Sequence, residues 1–426
     1  MWARMVGLVD GNNFFVSCER VVDPSLRGKA VAVLSNNDGC CVSRSNEFKA
    51  LGIPMGTPYF QLRDRVLSGE LHVRSSNYEL YGDMSRRVVS ILREEAVEVE
   101  QYSIDEAFIV PPTCETDLAA YGRRVREKVL RWTGIPCGVG FAPTKTLAKI
   151  ANHIGKKLPD GVFVMPDDPS AILEDLPVGE VWGVGRRTAA KLRAEGVLMA
   201  GAFARMRDED VRRIGGVVLL RTATELRGIP CIDDRAYDAA PDSVSCSRSF
   251  GEPVTTREAL AESLASFTAT AARKLRKHGL LATGCNVYAQ TATPGMFESE
   301  GGWEAGWVAR TVVFPQPTDA TNEMLKAIRP ASEALFTPGG RYRKSGMVFF
   351  GLEPVGATRQ LDLFTQVATP ARSKLYQAID ALNARSGGGA RVFTAAEGLG
   401  TPAWKMRRDH LSARATTRWT ELLKVR

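Results

Sequence analysis

Three carboxylates carry the chemistry this 426-residue chain could perform. Asp10 ends an apolar run from Val6 that reads as a short buried strand. Asp105 and Glu106 stand between two further strand-like runs, Val97 to Gln101 and Ala107 to Val110. Neighbouring strand residues point to opposite faces, so Asp105 and Glu106 can serve one site only from a turn or bulge. Three carboxylates meeting at one place repel unless a cation balances them, and an all-oxygen set suits Mg²⁺ with substrate phosphates completing its shell. A strand-end turn residue and a solvated acidic tip explain the same letters, and spacing alone leaves both readings open.

A second group is the stretch Leu176 to Arg187, in which Gly183-Val184-Gly185 opens a helix at about Thr188 to Glu195. Such a hairpin resembles a helix-hairpin-helix, whose free backbone N–H groups can bind a DNA phosphate, with Arg186, Arg187 and Lys191 adding charge. A tight helix turn without a ligand fits equally well. The loop is not of the Walker type, because no Gly-Lys-Ser/Thr follows the glycines. Arg273, Lys274, Arg276 and Lys277 crowd a helix C-terminus, where the dipole favours cations, whereas Arg341, Arg343 and Lys344 before a strand have no such local reason.

The elements around these groups indicate several domains. An order of β, α, β, β, α, β up to His153 suits an α+β domain whose mixed or antiparallel sheet is covered on one face. Val178 to Leu226 is mostly helical, Asp233 to Asp242 reads as a linker, and residues 244–355 repeat a strand-helix-strand pattern twice. Net charge is +8 but unevenly spread: −3 in residues 1–110, +2 in 111–243, +2 in 244–355 and +7 in 356–426. An acidic first segment is odd for a DNA surface and sensible for a cation site. Eight scattered cysteines without a C-x-x-C spacing fit reduced thiols, and no run approaches the ~20 apolar residues of a membrane span. The N-terminus lacks a signal-peptide pattern, which places the chain in the cytoplasm, nucleoid-associated if it works on DNA.

Residues 101–108, Gln-Tyr-Ser-Ile-Asp-Glu-Ala-Phe, together with Asp10-Gly11-Asn12-Asn13-Phe14-Phe15, resemble the Y-family translesion DNA polymerases. Leu34 to Cys40, Ser76 to Tyr81, Thr144 to Lys149 and Cys246 to Gly251 look like the UmuC-type branch, which supplies the catalytic subunit of DNA polymerase V. The resemblance runs from about Met5 to Arg426. It implies a multidomain right-hand polymerase: a ferredoxin-like palm (1–14 and 77–166), small fingers (15–76), a helix-hairpin-helix thumb (167–230), a linker (231–243), an α+β little finger (244–355) and a clamp-binding, basic tail (356–426).

By the same resemblance, Asp10, Asp105 and Glu106, helped by the Gly11 carbonyl, would hold two Mg²⁺ ions. Phe14 and Phe15 would meet the incoming dNTP, Phe15 as steric gate against a ribose 2′-hydroxyl, with Asn46, Lys49 and Lys156 on the triphosphate. Asn46 and Lys49 stand where many relatives carry Tyr and Arg. Gly183, Gly185, Arg186, Arg187, Lys191, Arg248, Arg341, Arg343 and Lys344 would contact primer-template DNA. Gln360-Leu361-Asp362-Leu363-Phe364 resembles a sliding-clamp peptide, and the basic stretch Trp404 to Arg426 could meet DNA, a UmuD′-type dimer or RecA, or be a charged helix folded on the core. On the first of these readings the tail lies beyond the catalytic domains and serves recruitment. A palm-fold nucleotide cyclase would show a Gly-Gly-Asp/Glu-Glu-Phe motif, absent here, and a non-catalytic DNA- and clamp-binding scaffold would not need all three carboxylates.

Overall fold

Strand β1 (Val6–Gly11) alternates its side chains between two apolar cores, Leu8 entering one and Val9 the other, and this builds a layered arrangement. The computed structural model describes residues 5–232, 241–291, 306–356, 370–384, 392–398, 402 and 404–422. These fall into two units. The first comprises Met1–Val33, Cys41–Ala236 and Ser412–Arg426, and the second Leu34–Cys40 and Tyr237–Leu411. All eight cysteines are free thiols, as their spacing led us to expect. Among the described residues no helix is long and apolar enough to cross a membrane.

In the first unit, β1 leads through Gly11 to α1 (Phe14–Val22), followed by β2 (Val31–Leu34), β3 (Cys41–Arg44), α2 (Asn46–Ala50), α3 (Arg63–Leu67) and β4 (His72–Ser75). Strands β3, β2 and β4 form a small sheet in that order. Its outer members, Cys-Val-Ser-Arg and His-Val-Arg-Ser, are absent from the sequence reading, because four half-polar residues carry too little periodicity. Next come α4 (Tyr78–Glu95), β5 (Glu98–Gln101), β6 (Glu106–Val110), α5 (Leu118–Thr133), β7 (Cys137–Ala142), α6 (Lys145–Gly155) and β8 (Val162–Val164). The five-stranded sheet runs β5-β6-β1-β7-β8, antiparallel except where β7 meets β8.

This sheet is covered on both faces, contrary to the single-sided layer expected from sequence. Val9, Ala107, Ile109, Val139 and Phe141 face Ile91 and Leu92 of α4 and Tyr121, Val125 and Val129 of α5. On the other side Leu8, Phe108 and Ala142 meet Leu147, Ala148 and Ala151 of α6. The helix lies so close that a β-carbon at Gly140 would overlap the backbone nitrogen of Asn152, while the Asn152 amide donates to the Leu8 carbonyl at 3.2 Å.

Beyond the sheet, α7 (Ser170–Asp175), α8 (Arg186–Ala194), α9 (Ala200–Ala204) and α10 (Asp208–Leu226, broken at Gly216) share that second core. The fully buried Glu225 near the end of α10 fastens these helices to α6. One carboxylate oxygen accepts the Thr146 N–H and hydroxyl at 2.8 Å each, and the other accepts the N–H groups of Cys231 and Ile232.

The second unit holds β9 (Val244–Val254), α11 (Arg257–Lys277), β10 (Leu280–Thr291), β11 (Trp307–Thr318), α12 (Thr321–Leu335), β12 (Tyr342–Pro354) and α13 (Pro370–Ala384). Its antiparallel sheet, in the order β11-β10-β12-β9, packs apolar residues against α11 and α12. Arg276 is used internally, pairing with both Asp380 oxygens and the Asp319 carbonyl. The Asn37 amide donates to the carbonyls of Ser249 and Phe250, and its oxygen accepts the Arg407 N–H. Trp404 stands edge-on to Phe267. The described part of the C-terminal stretch is therefore packed chain, and Ser412 onward is counted with the first unit. Of the two readings of Trp404 to Arg426, a tail for partners and a segment folded on the core, these contacts fit the second, although the described residues there form no α-helix.

Replacing Gly140 by Ala should destabilise the chain by at least about 2 kcal/mol in urea unfolding, because two backbones must separate. A loss below about 0.5 kcal/mol would show that α6 does not rest on β7 in this way.

Candidate active site

Asp10 and Glu106 are register partners on β1 and β6, on the same face as Leu8 and Phe108, and α6 lies over that face. Asp105 sits just before β6, in the turn its sequence required. The Ser103 hydroxyl holds that turn by donating to Asp105 Oδ1 at 2.6 Å and accepting the N–H groups of Asp105 and Glu106. The Gly11 N–H donates to the Asp105 carbonyl at 2.9 Å, so the backbones of all three acids are tied together.

Their side chains are nevertheless turned to different partners. Asp10 pairs with Lys156 at 2.6 Å, Glu106 with Lys149 at 2.9 and 3.0 Å, and Asp105 with Ser103. Among the described residues, no three His, Cys, Asp or Glu side chains are gathered in a group able to hold a metal ion. Burial pushes the Asp10 carboxyl up to about 6; Lys156 opposes this, and the Glu106 and Asp105 charges add to it. Oxygen donors at adjoining strand ends, among them Asp10 with its proton affinity raised by burial, are of the type that suits a hard divalent cation.

Lys149 closes the Thr144 to Lys149 motif, and the sequence alone assigns it no role. Besides bonding Glu106, its ammonium lies 4.4 Å from the Tyr102 ring centre, 5.1 Å from Trp182 and 5.9 Å from Phe108. Trp182 also donates its indole N–H to the Tyr102 hydroxyl at 3.3 Å. The available signal was helical spacing: Lys149, Asn152 and Lys156 recur along one face of α6 and its cap. Asp10, Glu106, Lys149, Lys156 and Trp182 line an open groove of about 950 Å³.

The residues expected at a triphosphate converge through one that was not singled out. Asn13, in left-handed conformation (φ 47°) at the start of α1, donates to Asn46 Oδ1 at 3.0 Å and accepts from Lys49 Nζ at 2.6 Å. Burial and the charges of Arg44 and Lys156 hold the Lys49 ammonium below its usual value, with Asp10 opposing, so Lys49 shares the electrostatic neighbourhood of Asp10 and Lys156. Phe14 is buried against Gly11, whereas the half-exposed Phe15 stacks on Tyr81 at 4.4 Å and 14°.

At the hairpin, Gly183 takes φ 83° and Gly185 caps α8, leaving Arg186 and Arg187 exposed, while Lys191 approaches the Ile214 carbonyl at 3.4 Å. In the second unit Arg248 pairs in register with Ser345, whose hydroxyl meets Ser263 of α11, so Arg248 belongs to the helix-side row. Lys344 pairs with Ser249, in the alternate row, and lies 5.9 Å from the Trp307 ring. These two cations thus stand on opposite faces of the sheet; Arg341 is exposed and Arg343 partly so. Gln360 to Phe364 lie outside the described residues.

Comparison with known proteins matches residues 9–153 to the impB/mucB/samB family, 166–197 to the IMS family HHH motif, 241–363 to the impB/mucB/samB family C-terminal domain and 373–425 to a domain of unknown function, DUF4113. The chain is 40% identical to Protein UmuC of Salmonella typhimurium over 99% of its own length and 100% of that protein. It is 28% identical to DNA polymerase IV 1 of Bacillus subtilis over 90% of this chain and 91% of that one. Among solved structures, a Y-family DNA polymerase chimera, Dbh-Dpo4(243-245)-Dbh, shares the fold at a TM-score of 0.60 and 19% identity, covering 82% of this chain and 99% of its own.

Because Asp10 holds its proton more tightly in the folded chain than in the unfolded one, its contribution to stability is full below about pH 4 and is lost as the pH rises through about 6. In EDTA, the stability difference between the parent chain and Asp10→Asn, measured by urea unfolding, should shift against the parent between those limits. A difference independent of pH would show that burial and neighbouring charge do not act on Asp10 as described.

Proposed function

The chain belongs to the impB/mucB/samB family, the UmuC-type Y-family DNA polymerases, and from that premise we propose that it carries out error-prone, template-directed DNA synthesis across lesions by two-metal nucleotidyl transfer. The observation that carries this reading is the register pairing of Asp10 with Glu106 beside the Ser103-bound Asp105, with Lys156 and Lys49 in reach of the same charges.

In this reading residues 1–14 and 77–166 are the palm, 15–76 the fingers, 167–230 the thumb, 231–243 a linker and 244–355 the little finger. The carboxylates of Asp10, Asp105 and Glu106, with the Gly11 carbonyl, hold Mg²⁺. Two such ions, when bound, make the primer 3′-hydroxyl easier to deprotonate and balance the charge of the triphosphate and the departing pyrophosphate. Lys156 leaves Asp10 for the triphosphate, to which it and Lys49 offer compact point charges. Asn13 keeps Asn46 and Lys49 side by side, and Phe15 occupies the space a 2′-hydroxyl would need. Lys149, caged by three aromatic rings, steadies Glu106.

The backbone N–H groups around Gly183 and Gly185, with Arg186, Arg187 and Lys191, suit a duplex phosphate, and Arg248, Arg341, Arg343 and Lys344 add contacts from the little finger. Gln360 to Phe364 would engage the sliding clamp. A UmuD′-type dimer and RecA are the further partners of a cytoplasmic, nucleoid-associated enzyme acting in the SOS response.

Primer extension with Mg²⁺ tests the reading: Asp105→Ala should lose more than about a thousandfold in rate, of order 4 kcal/mol, and undiminished extension would refute the metal assignment. Phe15→Ala should admit ribonucleotides, and unchanged sugar selection would return Phe15 to a packing role.

A further inference from the structure

Behind Phe15 lies a buried polar arrangement that the reaction does not use directly. Phe15 stacks flat on Tyr81, and the Tyr81 hydroxyl donates to the fully buried Glu19 at 2.6 Å. Tyr78 and Tyr81 stand in the first turn of α4, whose cap is the buried Asn77: its oxygen accepts the Leu80 N–H at 3.3 Å. The other end of the Asn77 amide donates to the hydroxyl of Ser412, from the C-terminal segment, at 2.9 Å. Ser412 lies near enough to the Glu19 carboxyl to favour its charged form, while Glu19 Oε2 makes no hydrogen bond. Three residues on, Ala415 packs against the apolar cluster of Phe14, Val16, Leu80 and Tyr81, with Phe15 at the same cluster.

We propose that the C-terminal segment is part of the sugar-selecting wall, with Ser412 as a positioning residue that holds the Asn77–Glu19–Tyr81 arrangement on which Phe15 is stacked. Ser412 touches no substrate in this account and acts only through the aromatic stack; the inference rests on the reading of Phe15 as steric gate. It gives the last part of the segment matching a domain of unknown function, from Ser412 onward, a definite task within the first unit. Stacking fixes where the Phe15 ring stands, and a ring free to tilt would open space beside the sugar. The polar ties beneath Tyr81 are local and buried, so losing one loosens the stack without exposing the core.

The test uses the full-length chain, measuring ribonucleotide and deoxynucleotide insertion for Ser412→Ala, Ser412→Thr, Phe15→Ala and the Phe15→Ala/Ser412→Ala pair. Ser412→Ala should raise the ribo-to-deoxy ratio of kcat/KM about three- to tenfold, the range expected for one lost hydrogen bond. Ser412→Thr, which keeps the hydroxyl, should remain within about twofold of the parent, and the substitution should add nothing once Phe15 is Ala. Hydrogen exchange should quicken in the first turns of α1 and α4. A Ser412→Ala ratio equal to the parent's, with Phe15→Ala still admitting ribonucleotides, would overturn the role of the segment and leave the gate standing. An unchanged ratio in Phe15→Ala would overturn both.

Discussion

Charge repulsion at the ends of β1 and β6 is the constraint on which the site depends. Asp10 and Glu106 are forced together by strand register, and Asp105 is brought beside them by a turn and by the Gly11 N–H. Burial of Asp10 makes its charge costly, and the charges of Glu106 and Asp105 add to that, so its proton affinity is raised. The chain relieves this with Lys149 on α6 and Lys156 at the C-cap of the same helix. Asp10 and Glu106 are thus balanced by cations of the chain's own.

That solution places strict demands on α6. Lysines seven residues apart reach the two strand ends only if the helix lies almost on the sheet, which the missing side chain of Gly140 allows and the Asn152 amide secures. The start of α6 is held by Glu225, so the helices carrying the Gly183–Gly185 hairpin are fastened to the element that carries the lysines. Trp182, next to that hairpin, closes the aromatic cage around Lys149. Packing, charge balance and the placement of the hairpin therefore depend on one helix seated on one glycine.

Much of this was readable in the sequence. The strand ending in Asp10, the turn at Asp105, the glycine hairpin before α8 and the repeated strand-helix-strand pattern each carry strong local signals, and the structure contains them. The three-stranded sheet escaped because Cys41–Arg44 and His72–Ser75 are too short and too polar to stand out. The second covering layer escaped because the closeness of α6 is decided by a glycine on another strand. Asn13 and Lys149 were passed over for a related reason: their partners are 33 and 43 residues away, and a single sequence displays no such pairing. The charged C-terminal stretch left two readings open, a tail for partners and a segment folded on the core, because contacts such as Trp404 with Phe267 and Ser412 with Asn77 join residues far apart in the chain and leave no local pattern.

The central claim is that the carboxylates now held by lysines and Ser103 exchange those partners for divalent cations when DNA and nucleotide are present. Mn²⁺ binding followed by electron paramagnetic resonance, with a dideoxy-terminated primer-template and the matching dNTP, tests this most directly. The account predicts about two tightly bound ions per chain in the parent and their loss in an Asp10→Asn/Glu106→Gln variant that retains its thermal unfolding transition. Equal Mn²⁺ binding in parent and variant would contradict it.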